Sequence, residues 1–327
     1  MQSNKELNDL FKELKEEVRQ KGLLDKTPIR GAIELVIVIA LTLLSLYSVE
    51  HFAPLVTVGL FVLTIIRATF VAHDLIHGQY FSRKTNRKVS YLFANGIMGI
   101  SMAWWDNKHN VLHHTFTNII GKDTDITMAG GAFIGKKEFS NFFHTYQHYL
   151  FWLVIPFIYF SFWVSSVIFN YQKKYFGELF IMGLNLLIPA YILATHGALE
   201  GTLMLLGIYM IWSIWFGAVI MTNHLGLEMF SEEEYKNFTW LELQTRTSRN
   251  VRGGKFVHWF YGGLNTQVEH HLYPKAPRFH LLEVAKITED FCVKHNIAYY
   301  NITPAQTYAE IFNFLKKERL QPQVAVA

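Results

Sequence analysis

Four stretches of this chain, at about residues 31–48, 53–72, 178–197 and 202–221, stay apolar for close to the length a helix needs to cross a bilayer. Hydrocarbon offers no partner to an open backbone group, so such stretches fold as helices. The composition agrees: 51% of residues are hydrophobic, 16% aromatic and only 17% charged, the balance of a membrane protein. Two further apolar runs occupy about 89–105 and 149–170. The first is short of a full span and ends in Trp104 and Trp105, residues suited to interfacial depth. The opening thirty residues are polar, with Lys5, Lys12, Lys15, Arg19, Lys21, Lys26 and Arg30 matched by acids. They predict a surface helix rather than a cleavable signal peptide. Cys292 stands alone, which excludes disulfides, thiolate ligands and iron–sulfur clusters.

Three histidine clusters are set among these segments: HDLIH from His73 to His77, HNVLHH from His109 to His114, and QVEHH from Gln267 to His271. Neutral imidazole suits iron, copper, zinc or nickel, and the clusters carry seven histidines, more than one ion ordinarily uses. On a helix His73 shares a face with His77, and His109 with His113, while His114 is turned by about 100° and can reach a second ion. A two-metal site is the expectation. Thr266 and Glu269 have the spacing of a capping box, which predicts a short helix carrying Gln267, His270 and His271 and gives Glu269 a capping role. One histidine pair is commonly structural. Three clusters of this spacing are not, because crowded buried imidazoles need partners and repel when charged.

If all three clusters serve one centre, an even number of spans separates them. That lays 149–170 along the membrane and leaves 31–48, 53–72, 178–197 and 202–221 as the crossings. Of the 30 basic residues, 29 then fall on the cytoplasmic side, and the loops 49–52 and 198–201 have none. The exception, Arg67, lies at a depth similar to Glu34, and the two are expected to pair. The fold expected is all-α: a four-span integral membrane bundle with interfacial helices and a cytoplasmic cap. The chain is read as a single domain over 1–327, with an N-terminal helix in 1–30, the spans and first two clusters in 31–221, and the cap with the third cluster in 222–327.

The sequences AHDLIHGQYFS, NGIMGISMAWWDNKHNVLHHTFTNIIGKDTDI and FYGGLNTQVEHHLYP resemble the histidine boxes of membrane fatty acid desaturases, specifically the acyl-lipid or front-end branch, over most of the chain. The resemblance implies a non-haem centre of two iron ions at the cytoplasmic face of a four-span bundle. It implies dioxygen-dependent removal of two hydrogens from adjacent carbons of an acyl chain, leaving a cis double bond. Gln267 opening the third box is the front-end mark. The implied ligands are His73, His77, His109, His113, His114, His270 and His271, with His224 in MTNHLG as an eighth. Asn223 and Gln267 are candidates for weak or water-mediated ligation. Asp74, Asp106, Asp123 and Asp125 are the carboxylates nearest in sequence to orient the imidazoles. His51 and His196 are expected on the outer side, and His144, His148, His258, His280 and His295 in structural or surface roles.

The implied partners are a lipid, acyl-CoA or acyl-carrier-protein substrate, dioxygen and the membrane, with no nucleic acid. About thirty residues precede the first span, without the haem-binding pattern of a fused cytochrome b5 domain, so a separate donor of ferredoxin or cytochrome b5 type is expected. Arg246, Arg249, Arg252 and Lys255 would suit an acidic donor. Location in a bacterial cytoplasmic membrane is the expectation, or the endoplasmic reticulum if the chain is eukaryotic. The rival readings are a related di-iron membrane hydroxylase acting on a lipid or alkane and, more remotely, a metal transporter. Transport fits poorly, since the histidines cluster beside basic segments and the spans are nearly free of polar groups.

Overall fold

The computed structural model describes residues 3–125 and 141–318. The chain forms two compact units, one of residues 26–110 and 155–216, the other of residues up to 25, 111–154 and 217 onward. Both are helical, and the sheet among the described residues is a two-residue parallel ladder pairing Asn250–Val251 with Asn301–Ile302. Among the described residues, four helical stretches are long and apolar enough to cross a membrane: Pro28–His51, Pro54–Ile76, Thr145–Lys173 and Phe176–His224.

In the first unit, Pro28–His51 and Pro54–Ile76 form a hairpin, each opening on a proline whose missing N–H costs nothing in the first turn. Buried polar side chains between them are satisfied locally: Ser45 Oγ lies 2.9 Å from Thr64 Oγ1, and Thr57 Oγ1 donates to Ser48 O at 2.9 Å. The expected Glu34–Arg67 pair forms. Gly31 is where the Tyr80 ring presses on this hairpin, and a Cβ there would sit 2.4 Å from Tyr80 Cγ.

The long Phe176–His224 stretch does not run straight. Gly197 takes a left-handed φ of 75°, and a Cβ on Gly201 would meet Leu193 Cα at 3.0 Å. Eight residues along a straight helix would separate them by about 12 Å. The chain therefore doubles back, as the division into 178–197 and 202–221 anticipates. His196 Nε2 lies 2.8 Å from Val49 O, and Tyr191 OH donates to Glu50, so this turn sits at the same end of the unit as the first hairpin's turn. His51 and His196 are there, most of a helix length from His73. Thr145–Lys173 is interrupted by a tight turn at Ile155–Phe157, leaving helices Asn141–Val154 and Ile158–Lys173. The second, 16 residues, is about 24 Å long, short of the roughly 30 Å hydrocarbon core.

The other unit has its core in Leu14, Val18, Leu241, Val268, Leu281 and Val284 with their neighbours. The N-terminal helix Asn4–Gln20, started by a Ser3–Glu6 capping box, buries Leu7, Leu14 and Val18. Spaced by seven and four residues, these make one apolar stripe, so the helix foreseen at the surface lends that stripe to a core.

Candidate metal centre

His73 and His77 close the Pro54–Ile76 helix, His77 as its C-terminal cap. Their rings lie 4.5 Å apart, and His109 joins them from the wide-turned π-helix Asp106–His113, 5.1 Å from each. All three are buried, with one nitrogen from each within 4.8 Å of the others. His73 Nε2 and His109 Nε2 are 3.2 Å apart. Two ligands at right angles around one ion, each bonded at about 2.1 Å, would be about 3 Å apart, so this donor set fits a metal.

A buried network fixes the segment leading to His109. Glu178 accepts hydrogen bonds from Asn95 Nδ2 and Ala103 N at 3.1 Å and from the Ser101 hydroxyl. Ser101 Oγ in turn caps Trp104 N at 3.1 Å. Trp105 then stacks on the His109 ring at 5.2 Å and 20°.

In the other unit His113, His224 and His271 form a second buried group within the same 4.8 Å limit. Their Nδ1 atoms are each held. His113 Nδ1 donates to Asp123 at 3.0 Å, His224 Nδ1 to Thr247 O at 2.9 Å and His271 Nδ1 to Gln244 Oε1 at 2.9 Å. Protonation at Nδ1 leaves Nε2 as the nitrogen that could take a metal. The His114 ring stacks on His271 at 4.3 Å and lies 4.8 Å from His270. The second box lies on a π-helix, whose turn closes on the fifth residue, so His113 and His114, the fourth and fifth beyond His109, flank its direction.

Of the carboxylates foreseen beside the rings, Asp123 is fully engaged, accepting also from Asn118 N and Asp125 N. Asp125 lies 3.6 Å from His113 Nδ1. Asp74 lies 3.7 Å from His73 Nδ1 and accepts the Tyr80 hydroxyl. Asp106 is exposed and accepts from Asn110 Nδ2 at 2.5 Å, steadying the π-helix instead of a ring. Asn223 Nδ2 donates to Gln267 Oε1 at 3.1 Å, and Gln267 Nε2 to His224 Nε2 at 2.9 Å. The positions missed are Gln244, Thr117 and Thr247. Thr247 acts through its backbone carbonyl and Gln244 through its side-chain amide, neither of which carried a signal in the sequence.

Two sequence expectations are corrected. Thr266 makes no side-chain cap, its hydroxyl donating to Gly263 O at 2.6 Å. Glu269, fully buried, accepts instead from Asn250 Nδ2 at 2.8 Å and Tyr299 OH at 2.9 Å, and burial pushes its carboxyl up to about 7. Arg249 cannot serve a docking patch. It is fully buried, donating to Thr222 O at 2.7 Å and pairing with Glu310 at 2.6 Å. Arg246 is partly spent on Glu228 and on the Phe230 and Phe238 rings, leaving Arg252 and Lys255 exposed. Of the remaining histidines, His258 Nδ1 meets Asn265 Oδ1 at 2.9 Å and His280 Nδ1 meets Leu23 O at 3.0 Å, both structural contacts. The His144 side chain lies outside the described residues.

Residues 49–303 match the sequence model of the family described as fatty acid desaturase. A fatty acid desaturase 2-like protein of Mus musculus is 29% identical over 96% of this chain and 67% of its own length. A Delta(5) fatty acid desaturase of Caenorhabditis elegans is 27% identical over 90% of the chain and 70% of its own length. A Delta(8)-fatty-acid desaturase of Euglena gracilis is 26% identical over 95% and 78%. Helices able to cross a membrane, buried imidazole groups fit for metal and this match over most of the chain lead to one conclusion: the protein belongs to the fatty acid desaturase family and is an oxidoreductase of lipid metabolism.

Proposed function

We propose that the chain is a dioxygen-dependent di-iron desaturase of front-end type, introducing a cis double bond into a lipid- or CoA-linked acyl chain. The observation that carries this reading is the second histidine group, with three Nδ1 atoms pinned by Asp123, Thr247 and Gln244. Structural histidines have no need of three convergent Nε2 atoms. His73, His77 and His109 would hold one iron, and His113, His224 and His271 the other, with His114 and His270 completing the set. An iron pair with dioxygen supplies an oxidant able to take hydrogen from an unactivated methylene, which no side-chain base can deprotonate.

The chain's own residues do the positioning. Asp123, Thr247 and Gln244 keep the His113, His224 and His271 rings in one tautomer, so metal binding would require only that the Gln267 amide release the His224 Nε2 lone pair. Trp105 covers the His109 ring and limits water. Gln267 and Asn223 form a polar pair beside His224, placed to hold a water or act as a weak ligand. Front-end regiochemistry is supported by Gln267 and by the printed names of the Delta(5) and Delta(8) relatives, whose double bonds lie toward the carboxyl end. The broken 145–173 stretch supports laying 149–170 along the membrane, which puts the three histidine boxes on the cytoplasmic face. Electrons come from a redox partner of ferredoxin or cytochrome b5 type.

The test is expression in a host of defined lipid composition, with iron assayed on the purified protein and fatty acids compared by mass spectrometry. About two irons per chain and a new double bond that disappears with His270→Ala are expected. A hydroxylated product, or a double bond that survives His270→Ala, would overturn the proposal.

A further inference from the structure

The eight-residue helix Arg83–Ser90 carries Arg83, Lys84, Arg87 and Lys88 in two turns, all exposed. They line a surface groove of about 830 Å³ whose remaining wall is Tyr91, Leu92 and Ile181. No carboxylate lines it, and among the described residues none of the four cations forms an ion pair. Arg87 stands beside Tyr91 in the groove wall, and Arg83, Lys84 and Lys88 are exposed around it.

The apolar wall says where the groove lies. Leu92 is 62% exposed, and Ile181 belongs to Phe176–Asn185, whose Phe176, Phe180 and Leu184 form an exposed apolar stripe at helical spacing on a stretch able to cross a membrane. Open cations therefore stand directly beside side chains that face acyl tails. Long basic side chains reach from such a boundary to the headgroup layer. We propose that this groove seats the phosphate headgroup of an anionic glycerophospholipid of the bilayer, held by Arg83, Lys84 and Lys88, with an acyl chain along Leu92 and Ile181. An acidic soluble protein answers the charge but not the apolar wall, which in a membrane is already covered by tails.

The test uses the full chain purified in a neutral detergent and titrated with mixed micelles of phosphatidylglycerol or phosphatidylcholine, bound lipid being read by native mass spectrometry. Each cation near an anionic bilayer surface strengthens attraction about fivefold. The intact chain should prefer phosphatidylglycerol, and the triple variant Arg83→Gln, Lys84→Gln, Lys88→Gln should lose that preference by roughly ten- to a hundredfold. Arg87 is kept so that the wall beside Tyr91 is unaltered, and the thermal unfolding midpoint of the variant reports its folding. A single variant, Lys84→Gln, should lose about fivefold and serves if the triple variant does not fold. Equal retention of the two lipids by the intact chain overturns the proposal. So does unchanged lipid preference with weakened binding of an acidic redox protein, which would make the groove a protein-docking face. Because lipid retention is read without turnover, loss of the desaturase reading would leave this result standing.

Discussion

Gln244 Oε1 receives His271 Nδ1 at 2.9 Å, and the same oxygen accepts the Thr117 hydroxyl at 3.1 Å, while Gln244 Nε2 donates to the carbonyl of His114 at 3.2 Å. A neutral amide is thereby tied to both neighbouring boxes. It selects the His271 tautomer with Nε2 unprotonated and holds the chain at His114. Gln244→Leu is expected to lower iron affinity ten- to a hundredfold, while Gln244→Glu, which keeps the acceptor, should lose less. Iron remaining after graded chelator dialysis reads this directly, and unchanged retention in Gln244→Leu would exclude the role.

Asp123 does for His113 what Gln244 does for His271, but as a buried carboxylate that also accepts two backbone N–H groups. Asp123→Ala strands those donors, at about 1–3 kcal/mol for each buried group left unpaired. Both the unfolding midpoint and bound iron should fall. Loss of iron at an unchanged midpoint would show that the loop after the second box holds itself without Asp123.

The Glu34–Arg67 pair joins the first two spans. Removing either partner leaves an uncompensated charge, which costs about 3–5 kcal/mol in a buried setting. Glu34→Gln and Arg67→Gln are each expected to destabilise the protein in detergent. The double variant should be less harmful than the sum of the two. Additive effects in a thermal-unfolding cycle would mean the charges act separately.

Gly31→Ala would drive a methyl group into the Tyr80 ring, 2.4 Å from its Cγ. Overpacking of this kind costs about 1–3 kcal/mol. The displaced Tyr80 hydroxyl would also release Asp74 beside His73. Desaturation should therefore drop more in Gly31→Ala than in Gly59→Ala, whose Cβ meets nothing within 4 Å. Equal activity in the two would argue that Tyr80 accommodates the methyl group freely.

Glu178→Gln retains the shape of the group that anchors Ser101 and Ala103 but weakens its charge-assisted bonds, which are roughly twice as strong as neutral ones. Iron bound through His109 should become more exchangeable while the fold persists. Exchange against labelled iron at the rate of the intact protein would refute that link.

The sequence determined the spans, the three boxes and the pairing of Glu34 with Arg67. These are local or one-dimensional properties: a run of apolar residues, imidazoles at helical spacing, two charges at one depth. The turn at 198–201 was readable for the same reason, since it breaks an apolar run. Tertiary structure alone decided what stands behind each ring. Any carbonyl can accept an imidazole N–H, so nothing in the sequence marks Thr247 O or Gln244 Oε1 above their neighbours, and only packing selects them. Packing also withdrew Arg249 from the surface and turned Glu269 from its expected cap to Asn250 and Tyr299. In each case burial decided: a polar group removed from water takes whichever partner the fold brings within reach, and sequence distance does not foretell which that will be.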